Sequence, residues 1–107
     1  MTEPTEIDQY GNKFWENALG ELHREGGPAV EWSDGDTEWW ANGQRHRADG
    51  PAIEYATGHK EWWVNGKLHR TDGPAIEWAN GRKEWWANDK ELTEEEHAKR
   101  IKEMQDE

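Results

Sequence analysis

The chain has 107 residues, no cysteine, only 32% hydrophobic residues and a formal net charge of −11 at pH 7. That length holds one domain with limited buried surface; the missing thiols exclude a disulfide framework or a thiolate metal centre, and the negative charge disfavours anionic lipid and nucleic acid as partners of the whole molecule. Nine residues are Trp, and a Trp buries roughly 150–250 Å², so aromatic ladders can stand in for an aliphatic core and the low hydropathy does not read as disorder.

Residues 1–9 are acidic and contain Pro4, which reads as a flexible lead-in. They lack the basic-then-apolar pattern of a signal peptide, and no apolar run in the chain reaches membrane length, so the expected compartment is the cytoplasm. From Tyr10 a worn unit begins: Tyr10-Gly11-Asn12-Lys13-Phe14-Trp15, then Gly20-Glu21-Leu22-His23-Arg24. Fuller copies follow at a period of 23 residues, which sets Trp39 with Trp62 and Trp85, His23 with His46 and His69, and Arg24 with Arg47 and Arg70.

Within each copy, short β-branched and aromatic runs alternate with turn dipeptides: Asp34-Gly35, Asn42-Gly43, Thr57-Gly58, Asn65-Gly66 and Asn80-Gly81. Such dipeptides supply the positive φ of tight hairpins. The pattern predicts an all-β domain over residues 10–92, built of stacked β-hairpin repeats as a solenoid or an elongated antiparallel sheet. Side chains alternate across a strand, so Trp62 and Trp63 point to opposite faces. Translation along the stack then gives the ladders Trp39/Trp62/Trp85, Trp40/Trp63/Trp86 and Trp32/Tyr55/Trp78, of which two can meet as core and one tryptophan of each pair is left to a partner.

Past Trp86 the pattern changes to a helix over residues 93–107. Thr93 caps it, Glu96 completes a capping box and acidic residues suit its first turn. Ala98, Ile101 and Met104 mark its apolar face, and its expected role is a lid on the last unit, with dimerisation as the alternative.

The run Asn65-Gly66-Lys67-Leu68-His69 and the turn Trp78-Ala79-Asn80-Gly81 resemble the MORN repeat, a hairpin unit of the same period. His46-Arg47-Ala48-Asp49-Gly50-Pro51-Ala52 is similar to a MORN-like variant of bacteriophage and giant-virus proteins. The resemblance covers roughly Tyr10 to Thr93, and it departs from the family in having Glu61-Trp62-Trp63 where MORN strands carry a glycine between aromatics. It implies scaffolding, dimerisation or lipid binding, of which the acidic charge opposes the last, and the virus-like variant implies an accessory protein directed at a host factor.

The candidate binding residues are Trp40, Trp63 and Trp86, with Arg47, Arg70, His46 and His69 along one edge. An Arg row can hold carboxylates or phosphates, or each Arg can pair with Glu31, Glu54, Glu77 or the turn aspartates while each His satisfies a backbone group. Glu38, Glu61 and Glu84 are expected to face water. Asp36, His59 and Arg82 occupy one turn position, and Thr37, Lys60 and Lys83 the next, which makes the later units more basic at that edge and an anionic partner expected there. Histidines one repeat apart do not converge on a metal, and Ser33 has no base beside it, so neither a cofactor nor catalysis is expected. The leading reading is a non-enzymatic protein-binding module, acting on a host factor or on itself. The alternatives are a nucleotide sponge, stacking bases on Trp and holding phosphates with Arg and His, and an acidic DNA mimic.

Overall fold

The turns set the geometry of each unit. At Asn42-Gly43 both residues have positive φ, 49° and 81°, and Asn65-Gly66 repeats this at 51° and 78°. Two consecutive left-handed residues make the hairpin turn whose twist matches the flanking strands. In the last unit the same conformation is held by Asn88 and Asp89, at 50° and 70°, because a short polar side chain tolerates this region where others do not.

The structure is a computed structural model and describes residues 3–105. Its elements are β1 (Glu6–Ile7), β2 (Lys13–Phe14), β3 (Val30–Glu31), β4 (Thr37–Glu38), β5 (Trp40–Ala41), β6 (Gln44–Arg45), β7 (Ile53–Glu54), β8 (Lys60–Glu61), β9 (Trp63–Val64), β10 (Lys67–Leu68), β11 (Ile76–Glu77), β12 (Lys83–Ala87), β13 (Lys90–Leu92) and α1 (Glu94–Gln105). Nine strands form one antiparallel sheet in the order β1-β2-β3-β4-β7-β8-β11-β12-β13, while β5–β6 and β9–β10 stand as two-stranded hairpins. The molecule is a slab of 46 × 33 × 18 Å. The elongated all-β sheet and the terminal helix agree with the expectation. Within the expected lead-in, Glu6 and Ile7 pair with Phe14 and Lys13 and extend the sheet by one strand; residues 1–2 of that lead-in and 106–107 of the expected helix lie outside the described residues. The Asp8 carboxylate holds that strand's turn by accepting the Tyr10 and Asn12 backbone N–H groups.

Directly paired residues share a face. One row therefore crosses the sheet as Phe14, Val30, Glu38, Ile53, Glu61, Ile76 and Glu84, aliphatic and carboxylate side chains alternating after the first two. Ile53 is 2% exposed, and Val30 and Ile76 are buried with it. The other face carries the next row, where Glu31, Thr37, Glu54, Lys60, Glu77 and Lys83 follow one another. Lys60 thus sits in register between Glu54 and Glu77.

On this second face the His-Arg step builds the units together. The guanidinium of Arg47 lies 3.9 Å from the centre of Trp39, and Arg24 over Trp15 and Arg70 over Trp62 repeat the distance. Arg70 also donates to Asp72, to the Pro74 carbonyl and to Glu77. Each guanidinium is mostly buried, and cation–π contact of about 0.5–2 kcal/mol with charge-assisted hydrogen bonds offsets its desolvation. The motif's glycine follows from this: a Cβ at Gly50 would sit 2.9 Å from Arg47 Cζ, so the residue is needed for close approach.

The histidines bind units to each other. The backbone N–H of Asn42, Asn65 and Asn88 donates to Nδ1 of His23, His46 and His69, each at 3.0 Å. Beside them Gly43, Gly66 and Asp89 donate to the Leu22, Arg45 and Leu68 carbonyls of the preceding unit. An Nδ1 that accepts carries no proton, so these imidazoles are neutral with hydrogen on Nε2.

Helix α1 begins with the reciprocal bonds of Thr93 and Glu96, 2.9 and 3.0 Å. It packs on β12 and β13 and buries His97 and Ile101. Ala98 and Met104, expected on the buried face, are exposed. The reason is His97, whose Nε2–H donates to the Arg70 carbonyl at 2.6 Å and turns the helix by one position. Thr93 occupies the next arginine's place, so the helix lies where a further unit would begin.

Burial first, then the nearby His97 and Arg100, lowers the His69 pKa from its ordinary value of 6.5. The unfolded chain therefore takes up this proton before the folded one, and the stabilisation present above about pH 6.5 is lost as pH falls. The Arg70 bond to Asp72 lowers that carboxyl below 3.8, so its contribution is present above its ordinary value and lost only in stronger acid. The thermal midpoint should drop between about pH 7.5 and 5 and again below about pH 4. In His69→Asn, whose Oδ1 can accept the Asn88 N–H without titrating, the first drop should shrink; an unchanged profile would contradict the neutral-acceptor role.

Candidate functional site: the aromatic face

The alternating row of aliphatic and glutamate side chains is flanked on its face by two aromatic rows. Trp32, Tyr55 and Trp78 follow Val30, Ile53 and Ile76 by two positions and lie on the turn side; Trp40, Trp63 and Trp86 follow the glutamates by two and lie on the hairpin side. Trp32 Nε1–H donates to Glu38 Oε2 at 2.7 Å, and Trp40 Nε1–H donates to Oε1 of the same carboxylate at 2.9 Å. Glu84 is held in the same way by Trp78 at 2.8 Å and Trp86 at 3.2 Å. Glu61 and Glu84 side chains are 18% and 13% exposed, which corrects the expectation that these glutamates face water. A carboxylate only accepts, and an indole edge only donates; each glutamate thus satisfies two rings and fixes their tilt.

The middle unit keeps this logic with different residues. Tyr55 has no N–H to give, and His59 supplies the missing donor: Nε2 lies 2.9 Å from Glu61 Oε2 while Trp63 Nε1–H donates to Oε1 at 2.8 Å. The imidazole sits between Tyr55 and Trp78, with ring centres 5.2 and 4.3 Å away, and its Nδ1 is buried without a partner. The three side chains, with Thr57, Glu61, Ala79 and Asn80, line an open depression of about 530 Å³. Burial, then the Glu61 and Glu38 charges, raise the Tyr55 pKa above 10.0, so its hydroxyl is a donor throughout the neutral range.

Trp32, Tyr55 and Trp78 are 38%, 40% and 40% exposed. Sequence reasoning placed the partner surface on Trp40, Trp63 and Trp86, which are half-buried. The Arg45 guanidinium lies between Trp40 and Trp63, 5.3 and 5.0 Å from their centres. Arg45 was not foreseen; the signal was a break in the period, since Leu22 and Leu68 hold the equivalent positions. His46, Arg47, His69 and Arg70 do come together, on the opposite face, around a groove of about 500 Å³. There Arg47 is engaged by Asp49, Glu54 and the Pro51 carbonyl and Arg70 by its equivalents, which is the internal pairing. Among the described residues no group of His, Asp and Glu is arranged to share a metal ion.

No family model, curated protein or solved structure matches the chain.

If His59 replaces an indole N–H, the pair Tyr55 and His59 must be exchanged together. His59→Asp should destabilise the fold by about 1–3 kcal/mol, because it sets one carboxylate against another and leaves Glu61 short of a donor. Adding Tyr55→Trp restores the arrangement of the first unit and should recover most of the loss in urea denaturation. A double variant no more stable than the single one would contradict the compensation.

Proposed function

We propose that the protein is a non-enzymatic module that binds another protein through its aromatic face. The observation carrying this reading is the in-register exposure of Trp32, Tyr55 and Trp78, each close to two-fifths accessible, on a chain whose other tryptophans are more deeply placed. Trp and Tyr dominate binding hot spots because they offer wide apolar contact with few rotatable bonds. Here the ring edges of Trp32 and Trp78 are already held by glutamates, so little side-chain entropy remains to be lost on association. Glu38, Glu61 and Glu84 are engaged by ring N–H groups in every unit, an arrangement suited to holding rings and not to passing protons. The viral, host-directed setting implied by the MORN-like resemblance fits this reading.

The test compares two faces of the sheet. A partner captured from cells should lose at least about tenfold in affinity for Trp32→Ala and for Trp78→Ala, with the fold verified by circular dichroism. Lys60→Ala, on the opposite face, should bind as the parent does. Unchanged capture by both tryptophan variants, with loss in Lys60→Ala, would place the interaction elsewhere.

A further inference from the structure

We infer that the row Trp32, Tyr55, Trp78 seats a basic, proline-rich segment in the polyproline II conformation, lying across the strands. This deepens the reading of the aromatic face and rests on it. In the sheet order β3-β4-β7-β8-β11 the three rings belong to strands two places apart, and strands lie about 4.8 Å from one another, so the rings repeat about every 9.6 Å. A polyproline II chain rises about 3.1 Å per residue with three residues per turn, which brings the same side to the surface every 9.3 Å or so. Residues i, i+3 and i+6 of such a segment therefore reach successive rings with a mismatch of only about 0.3 Å per step. An extended strand repeats its face about every 6.8 Å, and two turns of helix advance about 10.8 Å, so both lose register within three rings.

The polar chemistry agrees. Proline has no N–H, and a polyproline II backbone makes no internal hydrogen bonds, so the segment presents carbonyls that need donors. The Trp32 and Trp78 N–H groups are occupied by Glu38 and Glu84, and Phe14 and His59 pack on one side of these rings, which leaves their outer, solvent-facing surfaces for proline. In the depression between Tyr55 and Trp78 the Tyr55 and Thr57 hydroxyls and the Asn80 side-chain N–H point to no partner among the described residues; Asn80 engages only through Oδ1, which accepts the Arg82 N–H. Charge gives the orientation. Asp34 and Asp36 lie in the turn beside Trp32, whereas Arg82 lies at the Trp78 end, so the cationic residues of the segment belong over the first unit. The net charge of −11 favours such a segment over any anionic ligand.

The test uses the full chain, isotopically labelled, and a synthetic peptide of about ten residues, proline-rich with arginines at one end, long enough to span the three rings. The indole N–H signals of Trp32 and Trp78 should shift saturably. Affinity should fall about tenfold or more in Tyr55→Ala and severalfold in Tyr55→Phe, which keeps the ring and removes the donor, and it should weaken as salt rises. Three results would overturn the inference. A peptide of equal charge with glycine in place of proline binding as well would reduce the contact to charge alone. A β-linked glucan oligomer moving the same signals where the peptide does not would make the face a glycan platform. Silence of the peptide while a captured protein partner still depends on Trp32 and Trp78 would sink the polyproline assignment and leave the protein-binding reading standing; loss of that dependence as well would remove both.

Discussion

Away from the end covered by α1, the described sheet is a thin slab, 18 Å in its shortest extent, that covers its faces with its own side chains, and the rest of the structure depends on how each strand meets that constraint. Adjacent tryptophans such as Trp62 and Trp63 point to opposite sides. One is covered by Arg70, the other is held at its edge by Glu61. Ala29, Ala52 and Ala75, buried beside the arginine rows, and Val30, Ile53 and Ile76, buried beside the glutamates, complete two thin cores. Charged side chains are used here because an aromatic ring presents a negative face to a guanidinium and, in indole, a donor edge to a carboxylate.

The repetition has a second consequence. The residues that build and join the units recur unchanged, among them the His Nδ1 acceptors, the arginines, and the glycines under them. The open side of the aromatic face carries several changes between units: Tyr55 and His59 replace a tryptophan and Asp36 or Arg82, and Arg45 enters between two rings. The sites of variation, and not the ladders of identity, mark the chemically distinct surface of the molecule. Because the rings there are fixed by internal bonds, that surface is formed before any partner arrives.

Much of this was legible in the residues. The period located the units, Asn-Gly pairs located the hairpins, and Thr93 with Glu96 located the helix start, since each depends on local geometry alone. The face on which charge would be buried was not legible, because alternation shows that Glu61 shares a side with Trp63 but not that the indole leans back over it. The strand at Glu6–Ile7 was missed because its pairing comes from the sheet edge and not from its own composition. His97 lies outside the apolar row of Ala98, Ile101 and Met104, and only the Arg70 carbonyl, 27 residues earlier in the chain, makes it a buried position. The exposed row was likewise hidden: Trp32, Tyr55 and Trp78 are as aromatic as the other ladders and differ only in what lies over them.

The most direct measurement follows the indole N–H resonances in Glu38→Gln, Glu61→Gln and Glu84→Gln. If carboxylates hold the rings, Glu38→Gln moves Trp32 and Trp40 together, Glu84→Gln moves Trp78 and Trp86 together, and Glu61→Gln moves Trp63 alone, while Trp39, Trp62 and Trp85 stay in place. Responses that ignore this pairing, or that are as large in Trp39, Trp62 and Trp85 as in the bonded rings, would contradict a single-layer sheet faced by glutamate-held aromatics.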